Sequence, residues 1–421
     1  MYQIFCSYQF LFYIILFFVS CKSRIESETL ERIHPRNSKL IQSSVAFYKE
    51  VLPGLKGKKV MLVTNPSGIG QNPKRIQNEF NKNHVKIVSL LGLEHGFLGL
   101  EEDFSNQPVT VDKIFNLPIY HIYKLKKKEL LKILNEVDAI VFDVQDMGMR
   151  CYTYLTVLKR IMDGISGKKV ELIVLDHINP AMEIGPRGDS LEKDFENFAG
   201  AFPSLLFTGL TMGESANLYN SEYLKNKVNL NVIPVENFKR GMKFETLGIP
   251  WNTPSPNLPN LDSARNYFSL VLLEGINVSV GRGTPAPFVY FGAPWLKDRE
   301  ELSNFLDSLG KGKYYFQPIY FKPAFSKYEG KICLGLRMNL VEFNYDPIQL
   351  SYEIILYLKR NYKKDFQWVK WGSKYMVDNL WGSDRFRLAI EADLDYKNFH
   401  KEFSNKEITE NKRIKKYYIY Q

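Results

Sequence analysis

The chain has 421 residues, 45% of them hydrophobic and 24% charged, with a formal net charge of +10. That length suggests two domains of about 100–200 residues each, and the composition excludes wholesale disorder. The positive charge gathers in "KLKKKELLK" (124–132) and "NKRIKKYYIYQ" (411–421), which read as solvated helix faces and a tail. No basic stripe carries aromatic platforms, so no nucleic-acid partner is expected. An anionic polymer or membrane surface stays compatible.

The N-terminus reads "YQFLFYIILFFVSCKS" (8–23). The apolar run is shorter than the about 20 residues a spanning helix needs, and it resembles a signal-peptide core. Ser20-Cys21 then matches a lipoprotein processing site, with residues 1–21 as signal peptide, Cys21 as the lipidated first residue and 22–44 as a polar tether. Phe18 stands where Leu is usual, and no Lys or Arg precedes the apolar core. A plain signal peptide or an uncleaved anchor are the alternatives. The expected location is periplasmic or cell-surface, held to the membrane by the lipid anchor.

From residue 58 strands and helices alternate. "KKVMLVT" (58–64), "HVKIVSLLG" (84–92), the weaker "LPIYHIY" (117–123), "VDAIVFDV" (137–144) and "KKVELIVLD" (168–176) are the strands, and "CYTYLTVLKRIMDGI" (151–165) is a helix. Apolar runs separated by helical patterns predict a parallel sheet covered on both faces. The expected fold class is α/β: a Rossmann-like, doubly wound domain over 45–235 and a smaller mixed α+β domain over 236–421, with the active site in the cleft between them. The second half holds the Pro- and Asn-rich "IPWNTPSPNLPN" (249–260), which cannot be a regular element. Helices are expected from about Thr211, over 264–276 and over 347–362, and strands around 314–325 and 331–340.

Ligands of open parallel sheets sit beyond the carboxyl ends of the strands. Asn65 follows the first strand, and Glu94 and His95 the second. Asp143, Gln145, Asp146 and Arg150 end or follow the strand at 137–144, and Asp176, His177 and Asn179 end or follow the one at 168–176. This convergence of carboxylates, imidazoles and an arginine on one sheet edge is the strongest functional signal. There is no Gly-x-Ser-x-Gly elbow, no Walker loop and no His-x-x-x-His, and "GRGT" (281–284) lacks the spacing of a dinucleotide fingerprint. Neither a metal nor a cofactor is expected. Paired carboxylates beside aromatics suit glycoside hydrolysis instead.

Glu94 lies among leucines and Phe97, where partial desolvation would raise its pKa and fit it to be the general acid. The alternative is a helix cap or an ion pair. Asp146 is the candidate second carboxylate or else a turn residue, and Asp143 and Asp176 are substrate-side or orienting groups. His95 either meets substrate or donates to backbone. Tyr152, Tyr154 and Trp251 either stack on sugar faces or belong to the core. Arg150 and Arg282 either grip a substrate carboxylate or form internal pairs. Glu274, at a helix end where the dipole disfavours it, reads as functional, whereas Glu214 in "TMGE" (211–214) reads as a capping-box residue. Asn257 and Thr284 complete the substrate-binding set. Of the four cysteines, Cys151 and Cys333 read as small buried hydrophobes, with a bridge between them left open.

"VTNPSGI" (63–69), "LEHGFLG" (93–99), "VFDVQDMGMRCYTY" (141–154), "LDHINP" (175–180), "GLTMGE" (209–214), "IPWNTPSPNLP" (249–259), "LLEGINVSVGRGTPAPFVYFGAP" (272–294) and "NLWGSDRFRLAIEA" (379–392) come in this order. Together they resemble the NamZ-type exo-β-N-acetylmuramidase family, long labelled a domain of unknown function. The resemblance covers roughly residues 45 to 400. It implies a Rossmann-like half without a nucleotide, a site in the cleft, and release of terminal N-acetylmuramic acid from the non-reducing end of peptidoglycan fragments in cell-wall turnover or recycling. It also places Glu94 on the family's catalytic glutamate. The chain departs at Leu93, where the family often has Pro, and at His177-Ile178, where it often has Arg-Pro. The sugar's lactyl carboxylate would give Arg150 or Arg282 a partner, and its N-acetyl group is an internal nucleophile alternative to Asp146. A lipoprotein that binds cell-wall glycan without cleaving it is the rival reading.

Overall fold

The computed structural model describes residues 40–100 and 106–421. The signal segment, Cys21 and nearly all of the tether lie outside the described residues. Ile41–Gly241 and Trp251–Gln421 pack as one compact unit. Met242–Pro250 falls outside it and holds a short 3-10 turn, Phe244–Thr246.

The strands of the main sheet are β1 (Lys59–Thr64), β2 (Lys86–Gly92), β3 (Val109–Asp112), β4 (Leu117–His121), β5 (Ala139–Asp143) and β6 (Glu171–Leu175). After a small antiparallel pair, β7 (Pro186–Ser190) with β8 (Leu205–Thr208), comes its last strand, β9 (Asn229–Ile233). The order is β3-β4-β2-β1-β5-β6-β9. Every pairing is parallel except the edge pair β3–β4. The chain runs outward from β1 through β2 to β4, then returns to β1's other side with β5, so β1 and β5 flank the topological switch point. The expected α/β class and its parallel strands are what the molecule shows.

Alternation along the strands divides the core in two. Val60 and Leu62 of β1, Val141 of β5 and Ile173 and Leu175 of β6 face one cluster, which Phe47, Ile76 and Phe80 complete. Met61 and Val63, Ile140 and Phe142, and Leu172 and Val174 face the other. The helix Pro73–Lys82, capped by the Asn72 side chain, covers the first face. Lys127–Leu134, Tyr154–Ile165 and Met212–Glu222 contribute to the cluster on the second. That second cluster continues without a break into the C-terminal half.

The C-terminal half builds on the three-stranded antiparallel sheet of β10 (Tyr290–Ala293), β11 (Tyr314–Phe321) and β12 (Cys333–Leu340), with β12 central. Helices Leu261–Leu270 and Arg299–Gly310 pack on it, and Pro347–Asn361 packs on those two helices. A hairpin of β13 (Lys370–Trp371) and β14 (Lys374–Tyr375) follows. One expectation is corrected in detail. The helix expected from Cys151 begins at Tyr154, because Cys151–Thr153 form a turn. The segment 379–392 is two short helices, Met376–Trp381 and Arg385–Glu391, parted at Gly382.

Candidate active site

The loop after β1 fills the switch point itself. Ile69 N donates to Asp143 Oδ2 at 2.6 Å. A Cβ on Gly68 would stand 2.4 Å from the Asp143 carbonyl oxygen, so only glycine lets the loop lie this close. His177 Nε2 takes the other Asp143 oxygen at 2.5 Å. Burial alone would lower the pKa of this imidazole, but the Asp143 carboxylate outweighs it and raises it. Asp143 is therefore occupied by protein on both oxygens.

The open cavity lies beyond the neighbouring strand. β2 ends at Gly92, and Leu93 and Phe97, each 2% exposed, pin the turn that follows. Between them His95 and Gly96 adopt left-handed φ values of 70° and 74°. For His95 this conformation costs on the order of 1–3 kcal/mol, a strain that folds keep where a side chain must be aimed. Glu94 emerges half-buried from this turn, and Thr153 Oγ1 donates to its Oε2 at 2.6 Å. The Thr153 carbonyl is itself held by the Tyr123 hydroxyl at 3.1 Å. Burial first, and then the nearby Glu94 charge, pushes the Tyr123 phenol well up.

The cavity measures about 480 Å³, within the ~300–1,000 Å³ of small-molecule sites. Glu94, His95, Cys151, Tyr152, Thr153 and Phe198 line it from the first half. Asn257, Tyr267, Glu274, Arg282, Lys370 and Trp371 line it from the second. Glu274 sits in the 3-10 turn Val271–Gly275 and receives Arg282 Nε at 2.7 Å and Nη2 at 3.3 Å. Burial would lower the Arg282 pKa, but Glu274 and then Glu94 raise it, so the guanidinium stays charged. Cys151 and Cys333 are free thiols, and burial pushes each up to about 11.

Of the residues singled out in the sequence, Glu94, His95, Tyr152, Asn257, Glu274 and Arg282 meet in this wall. The others are engaged elsewhere. Asn65 Nδ2 donates to the Tyr154 hydroxyl at 2.8 Å, and that hydroxyl donates to the Pro254 carbonyl at 2.7 Å. Asn65 and Tyr154 thus pin the Pro-rich loop that carries Asn257. Gln145 Nε2 bonds the carbonyls of Asp146 and Ile178, and Asn179 Nδ2 bonds the Leu210 carbonyl. Asp176 accepts from Thr211, Gly213 N and Tyr420, and burial raises it to about 6. Thr284 Oγ1 closes its own loop on the Gly281 carbonyl at 2.6 Å. Arg150 is fully buried with its Nη1 on the Asp189 and Ser204 carbonyls and its Nη2 on that of Trp381. Glu214 forms the expected capping box with Thr211.

Asp146 is 1% exposed, and its Oδ2 accepts from Gly148 N at 2.7 Å. Its Oδ1 has no hydrogen-bond partner, and burial pushes the carboxyl up to about 7. From about pH 4 to 7 the folded state keeps a proton that the unfolded chain has lost, so this group subtracts stability as pH rises through that window. The total, about three pH units at ~1.36 kcal/mol each, is on the order of 4 kcal/mol. Asp146→Asn is expected to remove that decline. Melting curves of both proteins from pH 4 to 8 should diverge in the variant's favour up to about pH 7 and then run parallel. A constant offset would refute the buried titration.

The lining residues not singled out in the sequence carry weak local signals. Thr153 lies inside the motif that holds Tyr152 and Tyr154. Lys370 and Trp371 sit beside the two-residue turn Gly372-Ser373, a hairpin signal. Phe198 stands edge-on to Trp371, with ring centroids 4.6 Å apart.

Residues 60–262 match the family model described as exo-beta-N-acetylmuramidase NamZ, N-terminal. Residues 265–420 match its C-terminal counterpart. The chain is 32% identical over 368 residues to the peptidoglycan beta-N-acetylmuramidase NamZ of Bacillus subtilis (strain 168), covering 87% of this chain and 88% of that one. Two crystal structures of DUF1343 family proteins from Bacteroides fragilis NCTC 9343 are similar in fold. One has a TM-score of 0.79 at 26% identity, covering 92% of this chain and 100% of the other. The second has a TM-score of 0.73 at 26% identity, covering 91% and 99%. Matched along nearly its whole described length, the chain belongs to the NamZ exo-β-N-acetylmuramidase family.

Proposed function

We propose that this protein is an exo-acting glycosidase that releases terminal N-acetylmuramic acid from the non-reducing end of peptidoglycan fragments, with Glu94 as general acid. The observation that carries this reading is the cavity in which Glu94 and the Glu274–Arg282 pair meet across the two halves of the family match. Glu94 gives its proton to the glycosidic oxygen as the bond from that oxygen to the anomeric carbon breaks. Asp146 is outside the cavity wall and both Glu274 oxygens are engaged by Arg282, which favours the substrate's own acetamido oxygen as the group that reaches the anomeric carbon. It closes a five-membered ring, which water then opens, returning a proton to Glu94. Arg282 engages Glu274 through Nε and Nη2, leaving the Nη1 donors for the lactyl carboxylate. A hollow of this size suits one terminal sugar, which fits exo action.

Cell-wall turnover or recycling is the corresponding role. The apolar N-terminal segment and Ser20-Cys21 support a lipoprotein held outside the cytoplasm. The direct test incubates the purified protein with 4-nitrophenyl β-N-acetylmuramide and with native glycan fragments. Release of nitrophenol, and of free N-acetylmuramic acid from chain ends, is expected. Calorimetric binding of the same sugars without turnover would replace the enzyme by a glycan-binding module.

A further inference from the structure

The stretch Glu274–Asn277 begins with one member of the Glu274–Arg282 pair and leads toward the other, and all four of its backbone carbonyls are taken. Val369 N donates to the Gly275 carbonyl at 2.8 Å. The other three are held by two side chains from the loop between β11 and β12. Lys327 Nζ donates to the carbonyls of Glu274 at 2.7 Å and Ile276 at 2.6 Å. The Tyr328 hydroxyl donates to that of Asn277 at 2.7 Å and itself accepts from Trp295 Nε1 at 3.1 Å. The same loop holds the Arg282 end, where Ala324 N donates to the Gly283 carbonyl at 2.8 Å. Gly283 has a left-handed φ of 77°, and a Cβ on it would stand 2.6 Å from the Phe325 carbonyl oxygen, so only glycine lets the two segments lie this close.

The loop is strained around its lysine. Ser326 and Tyr328, on either side of Lys327, have left-handed φ values of 70° and 63°. Residues other than glycine keep that conformation only where the surrounding contacts impose it. The side chain so aimed is half-buried and makes no ion pair among the described residues, its ammonium going to carbonyl oxygens instead. Burial lowers its pKa to about 8, against which Glu274 raises it and Arg282 lowers it further, so at neutral pH it is mostly a cation. Glu274 and Arg282 cancel each other's charge. Lys327 leaves a net positive charge beside them, where water screens it little. Lys370, the lysine of the cavity wall, is exposed, and solvent screens it far more. A neutral sugar gains nothing from the Lys327 charge, whereas an anionic one is attracted by it.

We propose that Lys327 is a positioning residue for recognition of the sugar's lactyl carboxylate: it fixes the backbone of Glu274, so that Arg282, held through Nε and Nη2, keeps its Nη1 donors for that carboxylate, and it gives the pair a net positive charge. This rests on the muramidase reading and names a specificity-determining residue that does not touch the sugar. Lys327 is outside the cavity wall, so its effect passes through Glu274 and Arg282.

The test compares, by calorimetry, the affinity of free N-acetylmuramic acid with that of N-acetylglucosamine, the same sugar without its lactyl ether. Wild type should prefer the acidic sugar by ~10-fold or more, as one charge-assisted contact to a carboxylate supplies. Lys327→Met keeps the side chain's length without its charge or donors, and should cut that preference several-fold by weakening the acidic sugar alone. Lys327→Arg keeps a cation with donors for two carbonyls and should retain most of it. On the chromogenic muramide Lys327→Met should raise KM several-fold with kcat nearly unchanged. Melting temperatures confirm that the variants are folded, and Lys327→Gln replaces Lys327→Met if the latter melts too low for calorimetry. No preference in wild type, equal weakening of both sugars, or an unchanged preference in the folded variant overturns the role of Lys327. If wild type still hydrolyses the chromogenic muramide, the muramidase reading survives that result. If wild type neither binds the sugars nor hydrolyses the muramide, both readings fall together.

Discussion

Glu94→Gln is expected to lower kcat for release of the terminal sugar by about 10²–10⁴-fold, the usual contribution of a positioned general acid. Gln has nearly the shape of Glu and can still accept the Thr153 hydroxyl through its amide oxygen. The turn at Leu93–Gly96 and the melting temperature should therefore be unchanged. What is lost is the proton. The size of the loss must then depend on the leaving group. A nitrophenolate departs without much help, so the aryl glycoside should suffer less than a native glycan whose leaving oxygen is an alkoxide. KM should change little, since Gln occupies the same volume. Initial rates on the two substrates check this. Full activity on native glycan would remove Glu94 from the acid role.

The fold was legible where burial makes the sequence monotonous. β1, β5 and β6 are covered on both faces, and such strands must be apolar runs. β9 is not legible in this way: four of its five residues, Asn229 to Val232, are exposed or half-buried, so "NLNVI" carries no continuous apolar signal. β3 is a short antiparallel edge strand with the same difficulty. At the site, sequence order gave the edge of the sheet but not the direction of each side chain. Glu94 lines the cavity. Asp143 and Asn65 stand on adjoining strand tips yet bond protein groups, and their partners lie on segments that no local pattern ties to them. The Glu274–Arg282 pair spans eight residues, and no local pattern joins its two members because the turn that brings them together is not a regular element.

Arg150 shows most plainly how a strand-tip residue can serve the fold. It is fully buried, and burial lowers its pKa to about 10, so it remains a cation at neutral pH. Its donors go to carbonyl oxygens at Asp189, Ser204 and Trp381, which come from 39, 54 and 231 residues away. One planar guanidinium thereby ties the β7–β8 region to the helix Met376–Trp381, a geometry that Lys, with a single point-like head, cannot reproduce. Arg150→Met removes the charge and leaves three carbonyls without their donor in a space that excludes water. Breaking such a buried network costs about 3–5 kcal/mol. The urea midpoint should fall accordingly, with Arg150→Lys in between. Because its side chain is outside the cavity wall, the molecules that remain folded should keep the wild-type KM for the sugar. Arg282→Lys should do the reverse, raising KM with little change in midpoint, since its partner Glu274 keeps a cation and the cavity loses the Nη1 donors for the lactyl carboxylate. If Arg150→Met instead holds its stability within about 1 kcal/mol and raises KM tenfold, a change of ~1.4 kcal/mol in sugar binding, then the buried arginine reaches substrate through a rearrangement of the β7–β8 region and the division of labour between the two arginines is reversed.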